Sequence, residues 1–294
     1  MVPGTNILRQ VRLLPMLSGS EWSTDDLVST RPRSTLTIVK TFVVNLAQKT
    51  DLLSSIKDEI FTKSQGMLHN LKVVHAVDMS WNTTHHAKDP LLRLVSHGKL
   101  RQEDYEEILR KEKLHIRVEA IDLTRGGIGC AMSHIRIWEE IVKGDDIKGE
   151  KYFVVLEDDV YVTHDFDVKF QRYISEVPDK FDIIYLGTQY YVKYASLYRQ
   201  NSDNENKQML PHVKRVLNDH YGTFGYIVSY SGAKKLLANV YPLTQQIDSY
   251  IISRTRGTRG PSSVDIDGLD VYMFFPHLVY ELKSLHKSTV QQFL

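Results

Sequence analysis

The chain of 294 residues carries a single cysteine, Cys130, so no internal disulfide can form and the fold does not depend on an oxidising compartment. It also lacks a long hydrophobic run. The N-terminal stretch contains Pro3, Pro15 and several charges where a secretory signal needs a sustained apolar core, and no segment reaches transmembrane length. A cytoplasmic location is the resulting expectation. An excess of charge of one sign is missing too: 37 basic and 36 acidic residues leave a formal net charge of +1, which gives no reason to expect nucleic acid as a partner. The sequence shows no internal repeat and no low-complexity block. What it has is ordinary globular composition, 42% apolar and 25% charged, in a chain long enough to bury a sizeable core.

Residues 1–36 are poorly patterned and read as an irregular extension; residues 37–294 read as one domain. The first regular element is the β-rich run from Thr37 to Leu46, with Asn45 near its end. Asp51 to Lys63 follows with Leu52, Leu53, Ile56, Ile60 and Phe61 at helical spacing, and a second strand, Leu71 to Val77, stops at Asp78. Strand, helix, strand in that order opens a parallel α/β sheet. His85 to His97 reads as a loop, and Leu100 to Lys113 as a charged amphipathic helix. Gly126 to Gly129 reads as a glycine-rich turn feeding a helix from Cys130 to Lys143. Later strands are expected at Phe181–Leu186, ending at Gly187-Thr188, at Thr223–Ser229 and at Leu269–Phe275, with helices near Phe166–Val177 and Gly232–Val240. Residues 188–212 read as an irregular ligand-facing region, Thr255 to Gly268 as a mobile loop, and Pro276 as the start of the tail.

The most informative stretch is Tyr152 to Tyr161. An apolar run, Phe153 to Leu156, has the pattern of a fully buried strand and ends in three successive carboxylates, Glu157, Asp158 and Asp159. Hard oxygen ligands at the carboxyl end of a buried strand suit a divalent cation beside a phosphorylated ligand; the plainer alternative is a solvated acidic turn. Like charges so crowded repel, which favours a cation or a set of donors among them. Asp165-Phe166-Asp167 and Asp265-Ile266-Asp267 share the D-x-D spacing but lack the apolar platform; the first reads as a helix cap. Asn45 and Asp78 end the first two strands, at the edge where open α/β sheets bind nucleotides, although Asn and Asp are favoured in strand-end turns in any case. Ser133 and His134 follow the glycines: His134 is either a phosphate or carboxylate partner or a buried structural histidine. Cys130 reads as a small core residue, and His85-His86 as part of a loop.

VVNL at 43–46, HAVD at 75–78, GGIGCAMSH at 126–134, VVLEDDV at 154–160, IIYLG at 183–187 and GTFGYIVSYSGAKKLL at 222–237 occur in one order, followed by the segment from Pro242 to Asp248. Together they resemble glycosyltransferase family 25, which includes bacterial lipopolysaccharide and lipooligosaccharide galactosyl- or glucosyltransferases and procollagen galactosyltransferases. The resemblance implies a GT-A-like nucleotide-diphosphosugar transferase fold with a mostly parallel central sheet flanked by helices. It further implies a UDP-sugar donor, Mn²⁺ or Mg²⁺, and inverting transfer of galactose or glucose to a glycan, glycolipid or hydroxylysine-type acceptor. Ala47, Gln48 and Lys49 depart from the family's usual Asp-Arg continuation, and Gly127 stands where an acid is common.

In such an enzyme the cation acts as a Lewis acid on the leaving diphosphate and takes one or two protein carboxylates. Asp159 is the expected metal contact. Asp158 or Glu157 would face the ribose or the outer shell of the ion. Asp248, in the Pro-x-Asp-like segment, is the candidate base, with Glu157 in reserve; an N-cap is its ordinary alternative. Gly222, Thr223 and Tyr226 precede and enter the strand that family members use near the donor sugar, a turn followed by a core aromatic being the equal alternative, and Thr188 is similarly placed. His286 is either a late metal or phosphate contact, as C-terminal histidines are in GT-A enzymes, or an ordinary surface histidine. Rival readings are a metal-dependent phosphohydrolase, which needs a second acidic strand end, and a non-catalytic sugar- or nucleotide-binding relative.

Overall fold

The computed structural model describes residues 36, 38–68, 70–80, 88–116, 122–144, 150–190, 211–216, 220–256 and 268–282. His286, His85-His86, residues 1–35, most of the 188–212 region and residues 257–267, Asp265 and Asp267 among them, therefore lie outside the described residues. The centre is a seven-stranded sheet in the order β2-β1-β3-β7-β5-β8-β6. Its strands are β1 (Ile38–Asn45), β2 (Leu71–His75), β3 (Tyr152–Glu157), β5 (Ile183–Tyr190), β6 (Val213–Arg215), β7 (His220–Ser229) and β8 (Val271–Phe274). Two short strands, β4 (Val160–Val162) and β9 (Val279–Glu281), pair antiparallel outside it. Five of the seven central strands run one way; β7, between β3 and β5, and β6 at the edge are reversed.

Alternation along the central strands splits the apolar side chains between the two faces of the sheet. Phe42, Val44, Val155, Tyr226 and Val228 point to one core, where they meet Ile128, Ile135 and Trp138 of helix α4 (Arg125–Lys143). Val43, Val154, Leu156 and Ile227 point to the other, with Ile56 and Ile60 of α1 (Thr50–Lys63) and Phe166 and Phe170 of α5 (Phe166–Ile174). Both layers are needed because β3 is buried on both faces, with Val154, Val155 and Leu156 each 0% exposed. Helices α2 (Pro90–Ser96), α3 (Gln102–Leu114), α6 (Tyr230–Ala238) and α7 (Ile247–Ser253) complete the described set. Among the described residues, no helix is long and apolar enough to cross a membrane.

Five expectations need correction. The segment expected to be loop between 85 and 97 contains α2, started by Asp89-Pro90: the Asp89 carboxylate accepts from Leu91 N at 2.9 Å, and proline suits the first turn. Gly126 to Gly129 do not form a turn. They lie in the first turns of α4, which begins where Thr124 Oγ1 accepts from Gly127 N at 2.9 Å. Their small size serves packing, since a Cβ on Gly129 would stand 2.4 Å from the Val77 carbonyl oxygen. Strand β5 runs past Gly187-Thr188 to Tyr190, and the chain after Pro276 turns back as β9. Finally, Asp165 sits at the α5 N-cap in a left-handed conformation (φ 56°) with no side-chain cap bond, whereas Asp167 accepts from Ser64 Oγ at 2.6 Å and Met67 N at 3.3 Å.

Candidate active site

The carboxyl ends of β1, β2 and β3 share one edge of the sheet, where Val44 pairs with Glu157 and Asn45 with His75. Because β7 is reversed, its beginning meets that same edge. The N-terminal turns of α4 pack beside it. The result is a cavity of about 450 Å³ lined by Gln48, Asp78, Arg125, Cys130, Ser133, His134, Glu157, Asp158 and Asp159, among others. That volume falls within the roughly 300–1,000 Å³ of small-molecule sites.

The three successive acids diverge, each held by a different element. Glu157 ends β3, and its Oε1 accepts from Thr223 Oγ1 of β7 at 3.0 Å. The same oxygen lies 3.4 Å from His134 Nε2. Asp158 turns toward β1 and accepts from Asn45 Nδ2 at 2.6 Å, while Asn45 also donates to the Lys49 carbonyl at 2.8 Å. Asp159 faces β9: its carbonyl accepts from Leu282 N at 2.7 Å, and its Oδ1 is buried with no hydrogen-bond partner. Burial, then the charges of Glu157, Asp158 and Glu281, push the Asp159 carboxyl up to about 7. Asp158 is also raised, chiefly by burial, with the Asn45 bond opposing. A buried carboxylate oxygen with no hydrogen-bond partner, set among like charges, has the chemistry that suits a hard cation, and the all-oxygen donor set of Asp158 and Asp159 fits Mg²⁺ or Mn²⁺.

Behind the acids runs a buried polar relay. His134, 0% exposed, contacts the Tyr226 hydroxyl through Nδ1 at 2.9 Å. Trp138 Nε1 donates to that hydroxyl at 3.0 Å. Indole N–H is donor only, so the Tyr226 oxygen accepts there; the contact with His134 runs in either direction according to the imidazole tautomer. His134 and Trp138 stand four residues apart on α4, the spacing that puts both on one helix face.

Asp248 lies in the first turn of α7 and bonds to Gly222, the neighbour of Thr223 on β7. Its Oδ2 accepts from Gly222 N at 3.1 Å and its Oδ1 from Ser249 N at 2.7 Å. Burial pushes this carboxyl up, with the Ser249 and Gly222 amides opposing. Gly222 adopts φ +96°, where a side chain would be strained, so its amide reaches Asp248 through a conformation that glycine allows.

Of the residues singled out from sequence, Asp78, Ser133, His134, Glu157, Asp158 and Asp159 line the cavity. Asn45 and Thr223 join them through their bonds to Asp158 and Glu157, while Asp248 and Gly222 bond to each other, with Gly222 next to Thr223 in the chain. Ser133 braces the wall, accepting from Val77 N at 2.8 Å and donating to the Gly129 carbonyl at 2.7 Å. Asp78 is exposed at the mouth, and the hydrogen bonds from Ser80 hold its carboxyl below the usual value. Tyr226 is fully buried behind His134, and Thr188 donates its hydroxyl to the Tyr221 carbonyl at 2.9 Å; neither is among the residues that line the cavity. Cys130 lies on the cavity wall as well, with burial raising its thiol, consistent with an unactivated cysteine.

Arg125 was not singled out from sequence. It reaches the wall held by Asp89 at 2.7 and 3.0 Å and by Glu112 at 3.0 Å, tying α2 and α3 to the start of α4. Its partners lie 36 and 13 residues away, so the sequence carries no local signal for it. Asp182, the acid a two-metal hydrolase would recruit, stands before β5 on the opposite edge and is held by Lys235 at 2.7 Å and Asp270 N at 2.8 Å.

The family model described as Glycosyltransferase family 25 (LPS biosynthesis protein) matches residues 38–251. Among curated proteins, procollagen galactosyltransferase 2 of Homo sapiens is 30% identical over 135 residues, 44% of this chain and 19% of that protein. A Bos taurus protein named "Probable inactive glycosyltransferase 25 family member 3" is 35% identical over 123 residues, 40% of this chain and 18% of its own length. The procollagen lysyl hydroxylase and glycosyltransferase of Acanthamoeba polyphaga mimivirus is 26% identical over 208 residues, 68% of this chain and 19% of that protein. The chain thus spans about a fifth of the length of these relatives.

Proposed function

The chain belongs to glycosyltransferase family 25, and from that premise we propose that it transfers a hexose, galactose or glucose, from a UDP-sugar to a hydroxyl of a glycan, glycolipid or hydroxylated protein, with inversion. The observation that carries the reading is the buried, unpartnered Oδ1 of Asp159 at the carboxyl edge of the sheet, beside Asp158 and a cavity of nucleotide-sugar scale. Asp159 and Asp158 would hold Mn²⁺ or Mg²⁺, and the bound ion would offset the charge that builds on the departing diphosphate.

This chain's own residues account for the rest. Asn45, the last residue of β1, and Asp78, three residues past the end of β2, lie on the side assigned to the uridine. Glu157 is restrained by Thr223 and faces His134, which keeps its charge close to the diphosphate side. Asp248 would take the acceptor proton. Burial raises its affinity for a proton, while the two amide donors fix its carboxylate plane. One carboxylate has lone pairs to spare beyond the two amides.

The test is a screen of UDP-sugars for thermal stabilisation, with and without Mn²⁺, on the full chain and on Asp159→Ala. UDP-galactose or UDP-glucose should raise the melting temperature only with the metal, and only when Asp159 is present. Slow metal-dependent release of UDP should accompany it. Stabilisation without any UDP release would favour a binding-only relative, in line with the inactive designation of the bovine protein. No response to any UDP-sugar would end the proposal.

A further inference from the structure

Cys130 Sγ, His134 Nε2 and a Glu157 carboxylate oxygen all lie within 4.8 Å of one another on one wall of the cavity. Two independent features direct this trio at a ligand. The first is spacing: Cys130 and His134 stand four apart on α4, so both project from one face toward the end of β3. The second is the state of the imidazole. His134 is 0% exposed, and its Nε2 has no hydrogen-bond partner although Glu157 Oε1 is only 3.4 Å away. A buried nitrogen facing a carboxylate without a hydrogen bond marks a place where something else completes the contact.

We propose that Cys130, His134 and Glu157 form a second cation site, selective for a thiophilic divalent ion such as Zn²⁺ and separate from the position at Asp158 and Asp159. A mixed sulfur, nitrogen and oxygen set is the donor chemistry of zinc, whereas Mg²⁺ and Mn²⁺ prefer oxygen. Ordinary zinc bond lengths put tetrahedral ligand atoms roughly 3.3–3.8 Å apart, so the trio closes by about an ångström through side-chain rotation. The fourth position opens to the cavity. Ligation through Nε2 leaves Nδ1–H to donate to the Tyr226 hydroxyl at 2.9 Å, the outer bond that metal-bound histidines generally make. Binding draws Glu157 from Thr223, so the site and the Glu157–Thr223 bond compete.

Cobalt(II) is the probe, because a thiolate ligand gives a charge-transfer band in the near ultraviolet and tetrahedral geometry gives strong visible bands. The full chain should bind one Co²⁺ with both signatures, and Zn²⁺ should displace it. Cys130→Ser should abolish the charge-transfer band; Cys130→Ala, checked for folding by circular dichroism, should do the same. Asp159→Ala should leave the band intact, which separates this site from the one proposed for the diphosphate metal. A weak octahedral spectrum alone, a band that survives loss of Cys130, or a band lost with Asp159 would overturn the proposal.

Discussion

Replacing Tyr226 with Phe removes one oxygen and preserves the packing of the ring. That oxygen accepts from Trp138 Nε1 at 3.0 Å and contacts His134 Nδ1 at 2.9 Å, and all three side chains are 0% exposed. The vacancy is too small for a replacement water and the surroundings are closed to solvent. Two buried polar groups therefore lose their partner at once. At about 1–3 kcal/mol for each orphaned group, the variant should lose roughly 2–6 kcal/mol. Equilibrium urea unfolding, followed by circular dichroism and tryptophan fluorescence, measures the loss directly. A double-mutant cycle sharpens the test. In a Trp138→Phe background the indole donor is already gone, so Tyr226→Phe orphans only His134 and should cost about 1 kcal/mol less. A loss below about 0.5 kcal/mol in the wild-type background, or the same loss in both backgrounds, would refute the relay.

Three further outcomes are expected. The Asp159 carboxyl is raised from 3.8 to about 7, so the metal-free folded state binds the extra proton between those limits. Its contribution to stability is complete below about pH 4 and is lost as pH rises through 7, by roughly 4 kcal/mol at most. The difference between wild type and Asp159→Asn in urea titrations across pH 4–8 should trace that slope, and parallel curves would count against it. Gly129→Ala drives a Cβ to 2.4 Å from the Val77 carbonyl oxygen, and the shift of α4 against the end of β2 should cost about 1–3 kcal/mol; an unchanged urea midpoint would contradict the close approach. Asp248→Asn should lower kcat by about 10²–10⁴-fold with little change in KM for the donor. A kcat near wild type would remove Asp248 as the base.

Much of the fold was legible because its signals are local. An apolar run closed by carboxylates marks β3 wherever it sits, and Leu52, Ile56 and Ile60 mark the inner face of α1 by their spacing alone. Where reading failed, two local signals competed. Glycines at 126–129 favour a turn by conformational freedom, but Thr124 starts a helix across them, and their missing side chains let α4 approach the Val77 carbonyl. The strand after Phe181 was cut short at Gly187 for a similar reason: glycine weakens a strand, yet here a Cβ would stand 2.0 Å from the Val279 carbonyl oxygen, so the residue admits the returning tail.

By itself the sequence determined the central strands β1, β3, β5, β7 and β8, the acid cluster and the family pattern, because hydrophobic period and residue order are properties of the chain. Only the tertiary structure decided the partners. His134 meets Tyr226 across 92 residues, Thr223 meets Glu157 across 66, and Asn45 meets Asp158 across 113. The first two pairs exist because β7 runs backwards between β3 and β5, bringing its beginning to the edge where β3 ends. Strand direction is settled by how the two apolar cores close around the whole sheet, and no short window of residues contains that information.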